Sequence, residues 1–131
     1  MTIEFNDATR RLLDGRNFAT IATVSRDGSP QASVVWILRD GDTVLFSSTS
    51  GRQKVRNLTR DPRISISIFD VENPYNSAEI RGHAVLAEDA TGSLPRDLSQ
   101  KYLGEDPPAD PDGTVRLVVR VIPEKVILFS A

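Results

Sequence analysis

The chain has 131 residues, of which 39% are hydrophobic and 26% charged, and its formal net charge is −2. This length and composition predict one globular domain over residues 1–131. The slight negative charge excludes a protein that binds nucleic acid mainly by neutralising phosphates. The absence of cysteine excludes disulfides and thiolate metal sites. No apolar run approaches the roughly 20 residues that span a bilayer, so we expect no membrane span. The absence of disulfides fits the cytoplasm, where we expect the protein.

The first half of the chain predicts one helix and three strands. Asn6 and Asp7 are suited to cap a helix that ends at Asp14, and Gly15 is its stop signal. Runs rich in β-branched residues follow, separated by tight turns that contain Asp-Gly. The predicted strands cover residues 18–25, 31–39 and 43–48.

The second half predicts two more helices and four strands. Ser50 is the expected N-cap of a helix from Gly51 to Arg60, and Pro62 ends it because proline disfavours helical geometry in the preceding residue. Gly82 interrupts an otherwise regular strand, which predicts a bulge or a close approach by another part of the chain. The predicted strands cover residues 63–69, 78–87, 114–122 and 125–129, with a helix at 94–103. Short strands joined by tight turns favour a mainly β, antiparallel barrel with a few short helices.

The segment from Ser47 to Asn57 has an unusual charge pattern. Its predicted helix carries Arg52, Lys54 and Arg56 in the first two turns and no acid. A helix N-terminus is partly positive, so cations are locally unfavourable there. A bound anion would remove this conflict, because free amides, hydroxyls and cations together form a phosphate cradle. The alternative is a solvated basic face on a short surface helix, which charge alone favours.

Other polar residues give weaker signals. Gln31 and Ser33 share one strand face, where they could hydrogen-bond a ligand ring or simply face solvent. Trp36 lies on the opposite face and is predicted to be a core residue. His83 is the only histidine, so a histidine-rich metal site is excluded. With one histidine and no cysteine, we predict no metal site. We find no nucleophile–base pair, and therefore assign no catalytic residue.

Three segments together carry a family resemblance. They are FATIATVSRDGSPQASVVW, GRQKVRNLTRDPR and NPYNSAEIRGHAVL, in that order, within residues 12–86. The chain resembles the pyridoxamine 5′-phosphate oxidase-like split β-barrel family, and within it the deazaflavin-dependent oxidoreductases that use coenzyme F420. The resemblance implies an antiparallel, FMN-binding-like split β-barrel. It also implies a homodimer with two cofactor sites at the subunit interface.

The resemblance assigns roles to particular residues. It implies that Arg52 and Lys54 bind the phosphate of the coenzyme, with Ser48, Thr49 and Asn57 nearby. The strand after the first hairpin would line the ring. Its implied ring-lining residues are Gln31, Ala32, Ser33 and Val34. Family members that oxidise pyridoxamine phosphate are longer and carry further basic residues near the C-terminus, so vitamin B6 oxidation is not expected.

The implied function is that of a coenzyme F420-dependent reductase, which transfers a hydride between the deazaflavin and a small conjugated substrate. In such an enzyme the coenzyme carries the chemistry, which explains why no catalytic side chain is evident. One alternative is a flavoprotein that uses FMN in the same cradle. Further alternatives are a non-catalytic carrier of coenzyme F420 and an interaction module without a cofactor.

Overall fold

Seven strands within residues 3–130, the part of the chain that the computed structural model describes, form one antiparallel sheet. Three short helices pack against it. The elements in chain order are α1 (Asp7–Asp14), β1 (Ala19–Val24), β2 (Pro30–Val35), β3 (Leu38–Asp40), β4 (Thr43–Thr49), α2 (Gln53–Arg60), β5 (Arg63–Phe69), β6 (Ser77–Glu88), α3 (Ser93–Leu103) and β7 (Arg116–Phe129).

The order of strands explains the shape of the sheet. It runs β2-β1-β5-β6-β7-β4-β3, so its two ends are strands that follow one another in the chain. Only Trp36 and Ile37 separate β2 from β3, and three Cα steps span at most about 11 Å. The sheet must therefore curl until its ends lie close together. This arrangement confirms the predicted mainly β, antiparallel split barrel.

The core lies inside the curled sheet. Strand β5 alternates as predicted, with Ile64, Ile66 and Ile68 buried. Leu13 of α1 and Leu58 of α2 close the core from outside the sheet. Helix α1 begins and ends as expected, because the Asn6 side chain accepts a hydrogen bond from the Thr9 amide at 2.9 Å.

The predicted strand 31–39 is wrong in one respect, since it is two strands rather than one. β2 ends at Val35 and β3 begins at Leu38. Between them the Ile37 N–H and C=O are bound by side chains of α3 instead of by a neighbouring strand. An unbroken apolar run from Val34 to Leu38 spans the break, so the pattern gave no sign of it.

The predicted strands 114–122 and 125–129 are likewise one element. β7 runs without interruption from Arg116 to Phe129 and pairs with β6 from Leu117 to Phe129, except at Glu124. Pro123 is tolerated because it lies opposite Gly82, where the register shifts and the ladder needs no N–H from proline. The predicted irregularity at Gly82 is thus confirmed. A Cβ there would overlap the Ile122 carbonyl oxygen and lie 3.1 Å from Pro123 Cα.

Helix α3 is the longest of the described helices, with 11 residues, close to the predicted 94–103. Gly104, in the left-handed conformation, ends it. No helix in residues 3–130 is long and apolar enough to cross a membrane.

Candidate functional site

A cavity of about 310 Å³ lies at the split in the barrel, between β2 and β4. Two kinds of residue line it. One end, which we call the cation end, consists of Ser47, Ser48, Thr49, Arg52 and Lys54. These residues lie at the end of β4 and the start of α2. They belong to the segment whose charge pattern predicted an anion site.

Helix α2 begins later than predicted. Its first residue is Gln53 and Arg52 occupies the N-cap position, whereas Ser50 and Gly51 precede the helix. The Ser50 amide is instead bound to the Val115 carbonyl, which ties this turn to the strand that follows α3. Arg52 makes no side-chain cap, and the first turn contains no acid. The structure therefore places Arg52 and Lys54 at the N-terminus of α2, where positive charge is unfavourable.

Lys54 is the most informative residue of the cation end. Its side chain is buried, with only 9% of the residue exposed, and Nζ lies 3.4 Å from Ser33 Oγ. No carboxylate within residues 3–130 forms an ion pair with it. Burial, with a smaller contribution from the Arg52 charge, lowers the pKa of Lys54 below its ordinary value. A buried ammonium without a counter-ion is costly, and an anion in the cavity would supply one.

Two serine hydroxyls at the cation end also lack partners. Ser47 Oγ and Ser48 Oγ are buried and make no hydrogen bond to any part of the chain that the structure describes. Ser48 is 3% exposed. Buried polar atoms are normally paired, so each unpaired hydroxyl requires an explanation. Ser47 and Ser48 are adjacent on β4, so their side chains point to opposite faces of the sheet and one ligand in the cavity reaches at most one of the two hydroxyls.

Most of the remaining residues that line the cavity are apolar. We give the name apolar wall to Val34, Val35, Trp36, Pro95 and Leu98. Trp36 packs against a small core under α3, as expected of a core residue. It also lines the cavity, which alternation along the strand did not indicate. A cavity with one cationic end and one apolar wall fits a ligand that carries an anionic group on an apolar body.

The four residues predicted to line a ring lie on two opposite faces of β2, because side chains alternate along a strand. Gln31 and Ser33 are half-buried and bonded within the protein, through Thr23 and Lys54 respectively. Ala32 and Val34 are exposed, and of the four only Val34 lines the cavity. β2 ends the sheet and pairs only with β1 among the described strands. Every second residue of β2 therefore presents an unpaired N–H and C=O at its free edge.

Asn57 does not line the cavity. It is fully buried, accepts a hydrogen bond from Gln53 Nε2 at 2.7 Å and donates one to Thr23 Oγ1 at 3.0 Å. Asn57 Nδ2 thus attaches α2 to β1, whereas Asn57 Oδ1 is bonded within α2. Asn57 therefore holds α2, which carries Lys54, against β1.

We expect Asn57→Ala to lower the free energy of unfolding by about 1–3 kcal/mol, because it removes the buried hydrogen bond from Asn57 to Thr23 and leaves a cavity at a fully buried position. Urea unfolding of the two proteins measures the difference. Asn73→Ala, a change of the same kind in an exposed loop, is the control and should cost much less. Equal losses in the two variants would contradict the role given to Asn57.

Sequence reasoning missed Arg116. It lies at the start of β7 opposite Thr49, lines the cavity, and forms a two-point ion pair with Asp110 at 2.9 and 3.0 Å. The sequence feature that could have indicated Arg116 is its position shortly after the acidic segment 104–113. Neither Gly82 nor the loop at residues 73–76 lines the cavity in one copy of the chain. No group of three or more potential metal ligands is found in residues 3–130.

The fold and the cavity define a class: a split β-barrel with a cavity at its opening that is lined by both cationic and apolar side chains. Comparison with known proteins agrees. The family model for pyridoxamine 5′-phosphate oxidase matches residues 5–130. A solved structure named F420 reductase is 30% identical, with a TM-score of 0.84 over 94% of this chain and 98% of that chain. The chain belongs to the pyridoxamine 5′-phosphate oxidase family, as its three segments indicated.

More distant structures share the fold alone. A conserved protein from Mycobacterium tuberculosis is 20% identical, with a TM-score of 0.78 over 98% of this chain and 86% of that chain. A protein from Listeria innocua, described as a pyridoxamine 5′-phosphate oxidase, is 24% identical, with a TM-score of 0.73 over 95% and 98% of the chains.

Proposed function

We propose that the protein is a coenzyme F420-dependent reductase, which transfers a hydride between the deazaflavin and a small conjugated substrate. The observation that carries this proposal is the cavity itself. A buried lysine that has no carboxylate partner in residues 3–130 lines the same space as an apolar wall. A coenzyme with a phosphate and a flat ring has the chemistry to satisfy both. The relative named F420 reductase supports the choice of a deazaflavin.

In this proposal Arg52 and Lys54 are anchors for the phosphate. Ser48 and Thr49 add hydroxyl groups at the same end. Gln31, Ala32, Ser33 and Val34 form the strand beside the ring, and the free edge of β2 offers backbone N–H groups that stabilise charge on a reduced ring. When bound, the deazaflavin would supply the hydride chemistry. The chain would supply orientation and exclude water, so no acid or base side chain is required.

We further propose a homodimer, with cofactor sites at the interface between subunits. Val34 is 65% exposed and stands at the cavity mouth, where an apolar side chain gains from being covered. Phe69, Val85 and Phe129 are exposed elsewhere on the sheet. A second copy of the chain would cover such surface and close the site.

FMN is the second candidate, because the pyridoxamine 5′-phosphate oxidase family match favours it. Both coenzymes present a phosphate to the same cation end. Titration of the purified protein with coenzyme F420 and with FMN, followed by fluorescence, distinguishes them. Tighter binding of coenzyme F420 and oxidation of its reduced form by an enone or quinone are expected. A yellow protein with a flavin spectrum would replace the deazaflavin by FMN, and tight binding without turnover would indicate a carrier.

Binding should depend on pH through Lys54. Burial lowers the pKa of Lys54 in the free protein, and a bound anion favours the charged form and raises the pKa again. Above the free pKa, binding must take up a proton, so affinity falls as pH rises. We expect titrations from about pH 7 to about pH 10 to show this loss below the ordinary lysine pKa. The Lys54→Met protein should show no such dependence; an equal dependence in both proteins would contradict it.

A further inference from the structure

The C-terminal turn of α3 holds the break between β2 and β3. Lys101 Nζ donates to the Ile37 carbonyl at 2.8 Å and to the Leu13 carbonyl at 2.7 Å. The Tyr102 hydroxyl accepts from the Ile37 amide at 3.2 Å and donates to the Asn17 carbonyl at 2.6 Å. Both polar groups of Ile37 are thus fixed by α3. We call Lys101 and Tyr102 the α3 clamp.

The α3 clamp also fixes the residue before Ile37. The Trp36 and Tyr102 rings are stacked, with centroids 5.1 Å apart and planes 6° from parallel. Lys101 Nζ lies 4.9 Å from the centre of the Tyr102 ring, where a cation is attracted to the aromatic face. Tyr102 is 8% exposed, so the stack is anchored in the small core under α3. Trp36 is therefore held in one orientation before any ligand arrives.

Trp36 supplies the aromatic surface among the described residues that line the cavity; the rest of the apolar wall is aliphatic. The cation end attracts a phosphate whatever the phosphate is attached to, so it cannot select the body of the ligand. Flat conjugated rings pack more favourably on an aromatic surface than saturated groups do. Discrimination between ligand bodies must come from the apolar wall, and mainly from Trp36.

We propose that Trp36 is a specificity-determining residue of the cavity, and that Lys101 and Tyr102 are positioning residues that act through it. Trp36 selects ligands whose anionic group is joined to a flat conjugated ring. The α3 clamp keeps the indole in the position that makes this selection possible. The inference rests on the proposed function only for the identity of the ring.

The first experiment separates the ring from the phosphate. The probes are coenzyme F420, FMN and ribose 5-phosphate, of which the last carries a phosphate but no ring. In Trp36→Leu, we expect affinity for the better-bound ring compound to fall about five- to tenfold. Affinity for ribose 5-phosphate should change by less than about twofold. Equal changes for both probes, or none, would overturn the proposal for Trp36.

The failure of the proposed function would look different. In that case the wild-type protein would bind none of the three probes, which overturns the proposed function and this inference together. If wild type binds ribose 5-phosphate and a ring compound with equal affinity, the phosphate site stands and the role of Trp36 is overturned.

The second experiment tests the α3 clamp. Trp36 is the only tryptophan of the chain, so intrinsic emission reports its surroundings directly. We expect Lys101→Met and the milder Tyr102→Phe, which keeps the ring, to shift the emission maximum to the red. Both should reduce the preference for the ring compound over ribose 5-phosphate. Lys125→Met, which removes an exposed lysine, is the matched control and should change neither reading.

A purely structural role would give another result. If Tyr102→Phe lowers thermal stability but leaves both the emission maximum and the ligand preference as in wild type, the α3 clamp does not position Trp36. Since Tyr102→Phe preserves the stacked ring, this variant gives a clear answer even if Lys101→Met fails to fold.

Discussion

Lys54→Met is expected to weaken binding of the coenzyme about 10- to 150-fold, because a charge-assisted contact to phosphate contributes about 1.5–3 kcal/mol. The same change should stabilise the protein without ligand. Lys54 is buried and its ammonium has no carboxylate partner in residues 3–130, so methionine of similar length removes an unfavourable charge. We expect a gain of about 0.5–2 kcal/mol in the free energy of unfolding. Fluorescence titration and urea unfolding measure the two effects.

The opposite signs of the two effects make this prediction specific. A lysine that only supports the fold would lose stability on replacement, and a lysine on a solvated face would change neither quantity. Lys125→Met is the control for the loss of one positive charge, since Lys125 is exposed on β7. If Lys125→Met weakened binding as much as Lys54→Met, the effect would be one of net charge and the phosphate anchor would be wrong.

Gly82→Ala is expected to cost about 3 kcal/mol or more of stability, or to prevent folding. The added Cβ would overlap the Ile122 carbonyl oxygen, lie 2.9 Å from the Ile122 carbonyl carbon and 3.1 Å from Pro123 Cα. All three are backbone atoms in the longest pair of strands, so none can move away cheaply. The shift in register that accommodates Pro123 would have to be rebuilt. Urea unfolding, or the yield of folded protein, measures the loss.

Gly51→Ala provides the matched control. A Cβ at Gly51 would meet nothing within 4 Å, and its backbone is not in the left-handed region. Its stability should stay within about 0.5 kcal/mol of wild type. A loss for Gly82→Ala as small as that for Gly51→Ala would show that the approach of β7 to Gly82 is not required by the fold.

Much of the fold could be predicted from local patterns. The alternating isoleucines of β5 and the Asn6 cap of α1 act through neighbours in sequence, and the structure has both as expected. The errors fall where distant residues decide. The break at Trp36 and Ile37 depends on Lys101 and Tyr102, 64 or more positions away. The continuity of β7 through Pro123 depends on Gly82 of the paired strand.

The candidate site was predictable in part. The cations of the Ser47 to Asn57 segment conflict with a helix N-terminus, and that conflict is visible in the sequence. The sequence does not reveal that Lys54 is buried without a carboxylate, nor that Asn57 is bonded within the protein. Arg116 was missed because it is distant from α2 in sequence and reaches the cavity only through the pairing of β7 with β4.

The sequence by itself determined the class of fold and the position of the cation end, because these follow from alternation, turn residues and charge within short segments. The family was indicated by the resemblance of three segments to its members. Only the tertiary structure decided that the apolar wall lines the same cavity as those cations. Residues from β2 and α3 form the apolar wall, and they meet the cation end only because the sheet curls at Trp36 and Ile37. The physical reason is that burial depends on how distant segments pack. Burial turns Lys54 from an ordinary surface lysine into a cation that requires an anion.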